Sequence, residues 1–412
     1  MEEIYVIGVG MTAFGRLLNK DLKTLTREAI LSALSDAGLD KDDLQAAFFG
    51  NASQGHMEGQ QMIRGQIALR AMGIERIPVF NVENACASGS SAFALAVAQL
   101  RAGQADVAVA VGAEKMCSTD KVRMFSVFDS AWDLSQVEEN RRNLLRMGEG
   151  VEVPEGSCST RPYSVFMDVY AAMARSHMRR WGTTQRQIAA VSAKNHAHSM
   201  HNPRSQYRKA YTVDEVLAAA PIVYPLTLPM CSPVSDGAAA AVLCTGAALE
   251  RLNVDRRRAV CVRASVVQSG SDRSEEDYEL HCTALAAKRA YEAAGLGPED
   301  VSVAEVHDAT AIGEIIQIEN LGFCAFGEAG AVSERGETRV GGRIPVNPSG
   351  GLESKGHPVG ATGIGQIFEL VAQLRGEAGA RQVDGARVAL AENGGGLHGI
   401  EEAAAVITIL SR

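Results

Sequence analysis

Val97-Ala-Gln-Leu-Arg101 recurs, residue for residue, as Val371-Ala-Gln-Leu-Arg375. Each copy closes an apolar helical segment and leads towards an apolar strand, Val107–Val111 in the first case and Val388–Leu390 in the second. A fainter echo lies upstream of both. Ala33, Ala37, Gly38, Leu39, Asp43 and Ala47 align with Ala290, Ala294, Gly295, Leu296, Asp300 and Ala304. Both segments read as a helix stopped by glycine, then a short acidic turn, then a strand. Two echoes in the same order point to a duplicated α/β unit.

The strands fit such a unit. Tyr5-Val-Ile-Gly-Val9, Val107-Ala-Val-Ala-Val111, Ala259–Ala264 and Ala403–Leu410 are apolar with little alternation. That is the pattern of sheets covered by helices on both faces, and the helices between them make a layered α/β fold the expectation. The texture changes between Cys117 and Met230, which holds both tryptophans and many charges. It reads as a mostly helical insertion carrying substrate contacts. The expected division is an N-terminal half of residues 1–116 and 231–258, an inserted domain of residues 117–230, and a C-terminal half of residues 259–412.

Composition narrows the function classes. Hydrophobic residues make up 46% of the 412 and charged residues 22%, an ordinary globular profile. A net charge of -9 argues against a broad nucleic-acid surface. No segment reads as a signal peptide or membrane span, and the closing Leu-Ser-Arg is not a peroxisomal signal. The eight cysteines form no CxxC pair, so a reducing cytoplasm is the expected setting.

Cys86 is the first candidate for chemistry. Asn84-Ala-Cys-Ala-Ser-Gly-Ser-Ser91 is a small-residue turn feeding the apolar run Ala92–Leu100. A thiol at such a helix N-terminus meets free backbone N–H groups, which favour thiolate. His307 lies in Val303-Ala-Glu-Val-His-Asp-Ala-Thr310, at a strand end, where α/β sheets display catalytic groups. His357 lies in the Gly-rich stretch Asn347–Gly363, ahead of the second repeat's long helix. The repeat therefore places Cys86 and His357 near equivalent ends of two facing helices. Glu392-Asn-Gly-Gly-Gly396, read as following the last strand but one, offers unobstructed backbone N–H groups. Together these make a nucleophile, two imidazoles and an oxyanion-binding backbone.

Other patterns compete. Gly8-Val-Gly-Met-Thr-Ala13 matches GxGxxA after a strand, the mark of an NAD-dependent oxidoreductase. Convincing helical pattern starts only near Leu22, and Ala46–Phe49 ends without the acidic residue a ribose would want. His196, His198 and His201 cluster, but an i, i+2 pair on a helix points to different faces, so a solvated helix end or polar contacts near a ligand is the better reading than a metal. Arg161, Arg179 and Arg180 suit phosphate chemically, although solvation is the common fate of such residues.

Asn84-Ala-Cys-Ala-Ser-Gly, Gly356-His-Pro-Val-Gly-Ala-Thr-Gly363 and Asn393-Gly-Gly-Gly396, in that order, resemble the signature blocks of the thiolase superfamily over essentially the whole chain. His307-Asp-Ala-Thr310 is similar to the His-Asp-Cys-Phe block of sterol-carrier-protein-type thiolases. The resemblance implies two βαβαβαββ halves packed as a five-layer α-β-α-β-α core. It implies an acyl-CoA C-acyltransferase that cleaves or forms 3-oxoacyl-CoA. Cys86 would carry the acyl group and His357 would accept its proton. His307 and His357 would bind the second thioester oxygen. The N–H groups of Cys86 and Gly395 would form the other oxyanion hole, and Ser232 and Ser235 would touch the pantetheine arm. Coenzyme A or acyl-CoA would come as substrate, with no permanently bound cofactor. A homodimer or dimer of dimers is implied, as is a small OB-fold/zinc-ribbon partner protein.

One departure matters. Thiolases place a second cysteine either in a Cys-x-Gly block or in the His-Asp-Cys block; here those positions are Asn393 and Ala309. The remaining Cys86, His307 and His357 are similar to the Cys-His-His set of decarboxylating ketoacyl synthases, so a condensing enzyme of that kind is the alternative. Asn393 could instead hold a water for proton transfer. The related steroid side-chain aldolases lack the nucleophilic cysteine, and the presence of Cys86 argues against that branch.

Overall fold

The computed structural model describes residues 2–252 and 254–412. The first half contains β1 (Ile4–Met11), α1 (Leu22–Ala37), β2 (Ala46–Gly50), α2 (Gln54–Glu58), α3 (Arg64–Arg70), β3 (Val79–Val82), α4 (Ser88–Arg101) and β4 (Val107–Glu114). There follow α5 (Lys121–Ser126), α6 (Val137–Met147), α7 (Phe166–Trp181), α8 (Gln185–Ser199), α9 (Val213–Leu217) and the short hairpin β5 (Pro221–Val223) and β6 (Leu226–Thr227). The chain then returns through β7 (Gly237–Thr245) and α10 (Gly246–Arg251). The second half contains β8 (Val260–Ser269), α11 (Cys282–Ala294), β9 (Val303–Glu305), α12 (Ala311–Asn320), α13 (Ala329–Glu334), α14 (Thr362–Arg375), β10 (Val388–Gly395) and β11 (Ala404–Ser411).

The repeat is physical. Gly38 and Gly295, aligned by sequence, both end their helices in the left-handed region, at φ 69° and 67°. Their N–H groups cap the last carbonyls, as a glycine past a helix end does. The two Val-Ala-Gln-Leu-Arg segments are the closing turns of α4 and α14.

The strands form one nine-stranded mixed sheet in the order β3-β2-β4-β7-β1-β8-β11-β10-β9. The halves meet edge to edge where Tyr5 pairs with Cys261 and Val6 with Val260. The order mirrors about that junction. β2 pairs with β3 in parallel, and its counterpart β9 makes a parallel bridge through Ala304 to Val346. The expected pair of half-sheets is thus joined into a continuous sheet.

Side-chain alternation along this sheet produces the layers. Val6, Ala108 and Ala241 face inward, with Val262, Ala389 and Leu410 from the second half, onto Phe93, Val97 and Leu100 of α4 and Ile364, Leu370 and Leu374 of α14. Ile7, Val109 and Val242 face the other way, onto Leu25, Ile30 and Leu34 of α1. Ala264, Leu390 and Ile407 face α11 and α12, and Ile188 and Val191 of α8 join that cluster. Two helices from different halves therefore share the middle of an α-β-α-β-α stack. A fully buried Phe or Leu contributes about 1.5–3 kcal/mol, so this shared layer helps hold the halves together.

Gly8 and Gly10 do not cradle a phosphate. They lie inside β1, and β-carbons there would come within 2.2 Å of the Ala33 and Ala29 carbonyl oxygens of α1. Their smallness admits the helix, and α1 does not begin until Leu22, so the dinucleotide reading of Gly8–Ala13 fails. Gly394 and Gly395, read from sequence as following a strand, are the last residues of β10, paired opposite Ala405 and Ala404. Glycine is poor at holding a strand by itself, but here the ladder to β11 supplies the order. Gly10→Val is expected to lower stability by about 1–3 kcal/mol through overpacking, read as a fall in urea midpoint at unchanged slope. An unshifted midpoint would show that α1 can move away.

Candidate active site

Cys86 is presented by a tight turn. Ala85 sits at φ 47°, a left-handed conformation uncommon for a residue with a β-carbon. Its N–H donates to the Glu83 carboxylate at 2.6 Å, and the Ser88 hydroxyl donates to its carbonyl at 2.6 Å. The turn Ala85–Ala87 leads directly into α4, leaving Cys86 half-buried at the helix start.

His357 arrives from the matching end of α14. Its backbone N–H donates to Ser235 Oγ at 2.9 Å. Its Nδ1 is 2.7 Å from Thr362 Oγ1, and the Thr362 hydroxyl donates to the Pro358 carbonyl at 3.1 Å. A hydroxyl has one proton, so Thr362 accepts from the ring and Nδ1 carries the hydrogen. Nε2 is left with its lone pair, 3.3 Å from Cys86 Sγ.

His307 lies two residues beyond β9, with its backbone N–H on Glu392 Oε2 at 2.8 Å. Ser90 donates its hydroxyl to Asn393 Oδ1, which turns the Asn393 amide nitrogen to His307 Nδ1 at 2.9 Å. Nδ1 therefore accepts, and the neutral ring presents an N–H from Nε2. The two imidazoles stand nearly perpendicular, 85° apart, with centroids separated by 5.1 Å. Cys86 Sγ and one nitrogen of each ring lie within 4.8 Å of one another.

Burial sets the protonation states. It pushes the Cys86 thiol up to about 12, with the Glu114 carboxylate adding to the rise. The N–H groups of Gly396 and of Cys86 itself pull the other way and do not prevail. The N–H groups at the helix start favour thiolate, as the sequence suggests, but desolvation outweighs them. Burial lowers His307 to about 4, and burial, then His307 and Lys355, hold His357 well below the usual imidazole range. The resting centre is a neutral thiol facing a neutral imidazole.

The Gly-rich end of β10 touches the Cys86 turn. A β-carbon on Gly395 would lie 2.2 Å from the Asn84 carbonyl oxygen and 2.6 Å from the Ala87 nitrogen. Of the glycines there, Gly396 is the one whose N–H acts on the Cys86 sulfur.

Other expected residues are placed differently. Ser235 is fully buried and its hydroxyl donates to Gln206 Oε1 at 2.7 Å while receiving the His357 N–H, so it braces the histidine. Ser232 is only partly buried, and its N–H donates to the Ala309 carbonyl at 3.0 Å, beside the His307 loop. His196 and His198 are buried rather than solvated. His196 contacts the Pro229 carbonyl at 3.0 Å and Ser354 Oγ at 3.1 Å; His198 contacts the Asn347 carbonyl at 3.0 Å and the Val340 N–H at 3.2 Å. Protein groups occupy all four nitrogens, leaving none for a metal. Arg179 donates to the Glu149 carbonyl and Glu275, and Arg180 lies 4.1 Å over the Tyr278 ring. Another donor group, His281, Cys282 and Glu401, has a metal's spacing, but Arg273 sits 2.7 Å from Glu401 and already supplies the positive charge.

Sequence reasoning missed Thr362, Ser90 and Glu114. The first two lie inside the quoted blocks and were legible as hydroxyls next to key residues. Glu114 ends β4 fully buried, takes the Ser53 hydroxyl and is raised to about 7 by burial. Its nearness to Cys86 had no local signal.

Known proteins match this arrangement. Residues 4–215 match the family model described as thiolase, N-terminal domain, and residues 264–412 the one described as thiolase C-terminal domain-like. The chain belongs to the thiolase family. It is 40% identical to an acetyl-CoA acetyltransferase of Methanothermobacter thermautotrophicus, with 100% of each chain covered. It is 36% identical to sterol carrier protein 2 of Bos taurus over 95% of this chain and 69% of that one. A solved structure described as the Ltp2-ChsH2(DUF35) aldolase shares the fold, with TM-score 0.77 at 22% identity over 98% of this chain and 97% of that one. The protein is an enzyme, a thiolase-type acyl-CoA acyltransferase.

With its thiol pushed up to about 12, Cys86 depends on a neighbouring proton acceptor for reactivity at neutral pH. His357→Ala should slow iodoacetamide alkylation of Cys86 by about a hundredfold at pH 7. The remaining rate should climb with pH, because ionisation then follows the bare thiol. Equal rates for variant and wild type at pH 7 would remove His357 as the base.

Proposed function

We propose that this enzyme cleaves or forms 3-oxoacyl-CoA through an acyl group carried on Cys86. The observation that supports it most is the 3.3 Å contact between His357 Nε2 and Cys86 Sγ, with the ring proton held on Nδ1 by Thr362. In the first half-reaction His357 takes the thiol proton as the sulfur attacks the thioester carbon. The carbon–sulfur bond of the incoming acyl-CoA breaks, and the proton passes to the departing CoA thiolate. The oxygen of the tetrahedral intermediate falls to backbone N–H groups of Cys86 and the Gly395–Gly396 segment. Donors aimed at such an oxygen are worth about 2.7–4 kcal/mol each. In the second half-reaction the His307 Nε2–H donates to the oxygen of the acceptor thioester, and the proton on the neighbouring carbon passes to His357 Nε2, which then donates to that oxygen as well. The enolate attacks the acyl carbon on Cys86, the carbon–carbon bond forms as the acyl carbon–sulfur bond breaks, and the departing Cys86 sulfur takes back the proton from His357.

Asn393 and Ala309 stand where thiolases hold their second thiol, which favours a second reading on one point. An enolate made by decarboxylation needs no base, so a malonyl-type acceptor would suit this site. Ser232, at the edge of the His307 loop, is the substrate contact we retain for the pantetheine arm. The Cys117–Met230 segment, as an inserted domain of residues 117–230, carries the CoA side. We also infer a homo-oligomer acting in the cytoplasm. The described likeness to an Ltp2-ChsH2(DUF35) assembly supports a small partner protein beside it.

Mass spectrometry of protein mixed with a panel of acyl-CoAs should find one acyl adduct, on Cys86. Free CoA should then release it, and Cys86→Ala should abolish both steps. His307→Ala should leave adduct formation intact and slow carbon–carbon bond formation by at least about a hundredfold. Release by malonyl-CoA but not by acetyl-CoA would select the decarboxylating reading. An adduct on another residue would end the proposal.

A further inference from the structure

The loop that carries His357 rests on a buried cluster of charge outside the reaction centre. Glu305, Asp308, Glu314 and Glu353 are withdrawn from solvent together with Lys194 and Lys355. Lys355 pairs with Glu305 at 3.0 Å, and Lys194 pairs with Glu314. Among the described residues, Asp308 and Glu353 are left without a cation of their own. Between them lies Asn195, whose Nδ2 is 3.1 Å from Asp308 Oδ2, 2.9 Å from Glu314 Oε2 and 3.0 Å from Glu353 Oε1. Burial and neighbouring negative charge push both carboxyls upward. Carboxylates this close in a dry site do not both ionise, so the pair keeps a proton.

The donors say where it sits. Asp308 uses both oxygens as acceptors: the Leu352 N–H reaches Oδ1 at 2.7 Å, and the Asn195 amide and Glu353 N–H reach Oδ2. Glu353 is different. Its Oε2 has no hydrogen-bond partner among the described residues, and neither has Asn195 Oδ1. The nearby Ser192 hydroxyl is already committed to the Pro229 carbonyl at 2.8 Å. Buried acceptors without donors cost about 1–3 kcal/mol each. A single proton on Glu353 Oε2 removes both vacancies. The acid and the amide then close a ring, Nδ2–H to Oε1 and Oε2–H to Oδ1.

We propose that Glu353 is a positioning residue: as a neutral acid ringed with Asn195, it locks the loop bearing His357 against the loop bearing His307. Asp308 completes the lock, since it follows His307 in sequence and binds the N–H groups of Leu352 and Glu353. Gly351 makes room for it: at φ 60°, a β-carbon there would lie 2.1 Å from Asp308 Oδ2. The groups facing Glu353 are Lys194 of α8, Glu314 of α12, Asp308, and the Cys231 thiol, which the Glu353 charge would raise further.

The positioning role rests on the proposed use of both imidazoles, but the proton itself can be read without activity. Glu353→Gln supplies an N–H where the acid supplies O–H, whereas Asp308→Asn keeps one oxygen and takes the acceptor either from the Leu352 N–H or from the Glu353 N–H and the Asn195 amide. Folded Glu353 stays neutral while unfolded Glu353 ionises. Wild-type stability is therefore drained as pH rises above the ordinary carboxylate range, until the folded group also ionises. Glu353→Gln should keep kcat and KM near wild type at pH 7 and show a flatter fall of Tm with pH. Asp308→Asn should lose kcat by about tenfold or more with KM little changed. Difference infrared spectra should show a protonated-carboxyl band in wild type and Asp308→Asn that Glu353→Gln lacks. The reverse tolerance, or a band that survives Glu353→Gln, would place the proton elsewhere and overturn the proposal. Expected spectra and Tm with an unaffected Asp308→Asn kcat would remove the positioning role alone. Absence of acyl transfer in wild type would count against the proposed function and leave the proton to the spectra.

Discussion

The close approach of two helix starts in the middle layer is what the site depends on. α4 and α14 come from different halves of the duplicated chain, and their first turns meet with almost no side chain between them. A β-carbon on Gly89 would lie 2.5 Å from the Gly360 carbonyl oxygen, and one on Gly363 would lie 1.8 Å from Ser90 Oγ. Glycine lets backbone meet backbone at the first of these positions and lets the Ser90 hydroxyl meet backbone at the second. Cys86 precedes one helix and His357 the other, so their 3.3 Å contact follows from the packing of the layer. The same contact explains why Ser90 and Asn393 can reach each other across the halves.

Water exclusion then makes neutrality the rule. In a polar site the thiol and imidazole would exchange their proton at rest. Here burial raises the first and lowers the second, so the ion pair forms only when a substrate can use it. Orientation takes over the work that charge does elsewhere. Thr362 fixes one tautomer and Asn393 the other, giving one ring with a lone pair at the sulfur and one with an N–H at the pocket. Charged residues are kept one shell back, where pairing and a retained proton offset their desolvation cost.

Much of the fold was legible because it rests on local patterns. Most of the buried strands are apolar runs, although Arg263 breaks the run in β8; the helix ends carry their glycines, and the repeated Val-Ala-Gln-Leu-Arg marks equivalent turns. Cys86, His307 and His357 were legible for the same reason: each stands at an element end in a small-residue block. Polar residues buried by distant parts of the chain were not. His196 and His198 on α8 read as a solvated helix end or as polar contacts near a ligand, yet both are buried, along with Lys194 and Asn195 beside them. Nothing local distinguishes a polar stripe that faces water from one that faces a carboxylate cluster supplied more than a hundred residues away. The glycines closing β10 misled for the opposite reason, since propensity breaks a strand that pairing with β11 maintains.

The exchange of a thiol for Asn393 illustrates how one residue redistributes roles. An amide cannot carry a proton between reacting atoms, but it can donate to His307 Nδ1 while accepting from Ser90. That pins His307 as a donor and removes it as a base. On the mechanism proposed, stabilisation of the enolate is thereby secured, while removal of a proton from the acceptor falls to His357, Cys86 being acylated at that step, or is made unnecessary by loss of carbon dioxide. What separates the routes is proton removal, and that is the one task for which Asn393 and Ala309 supply no group.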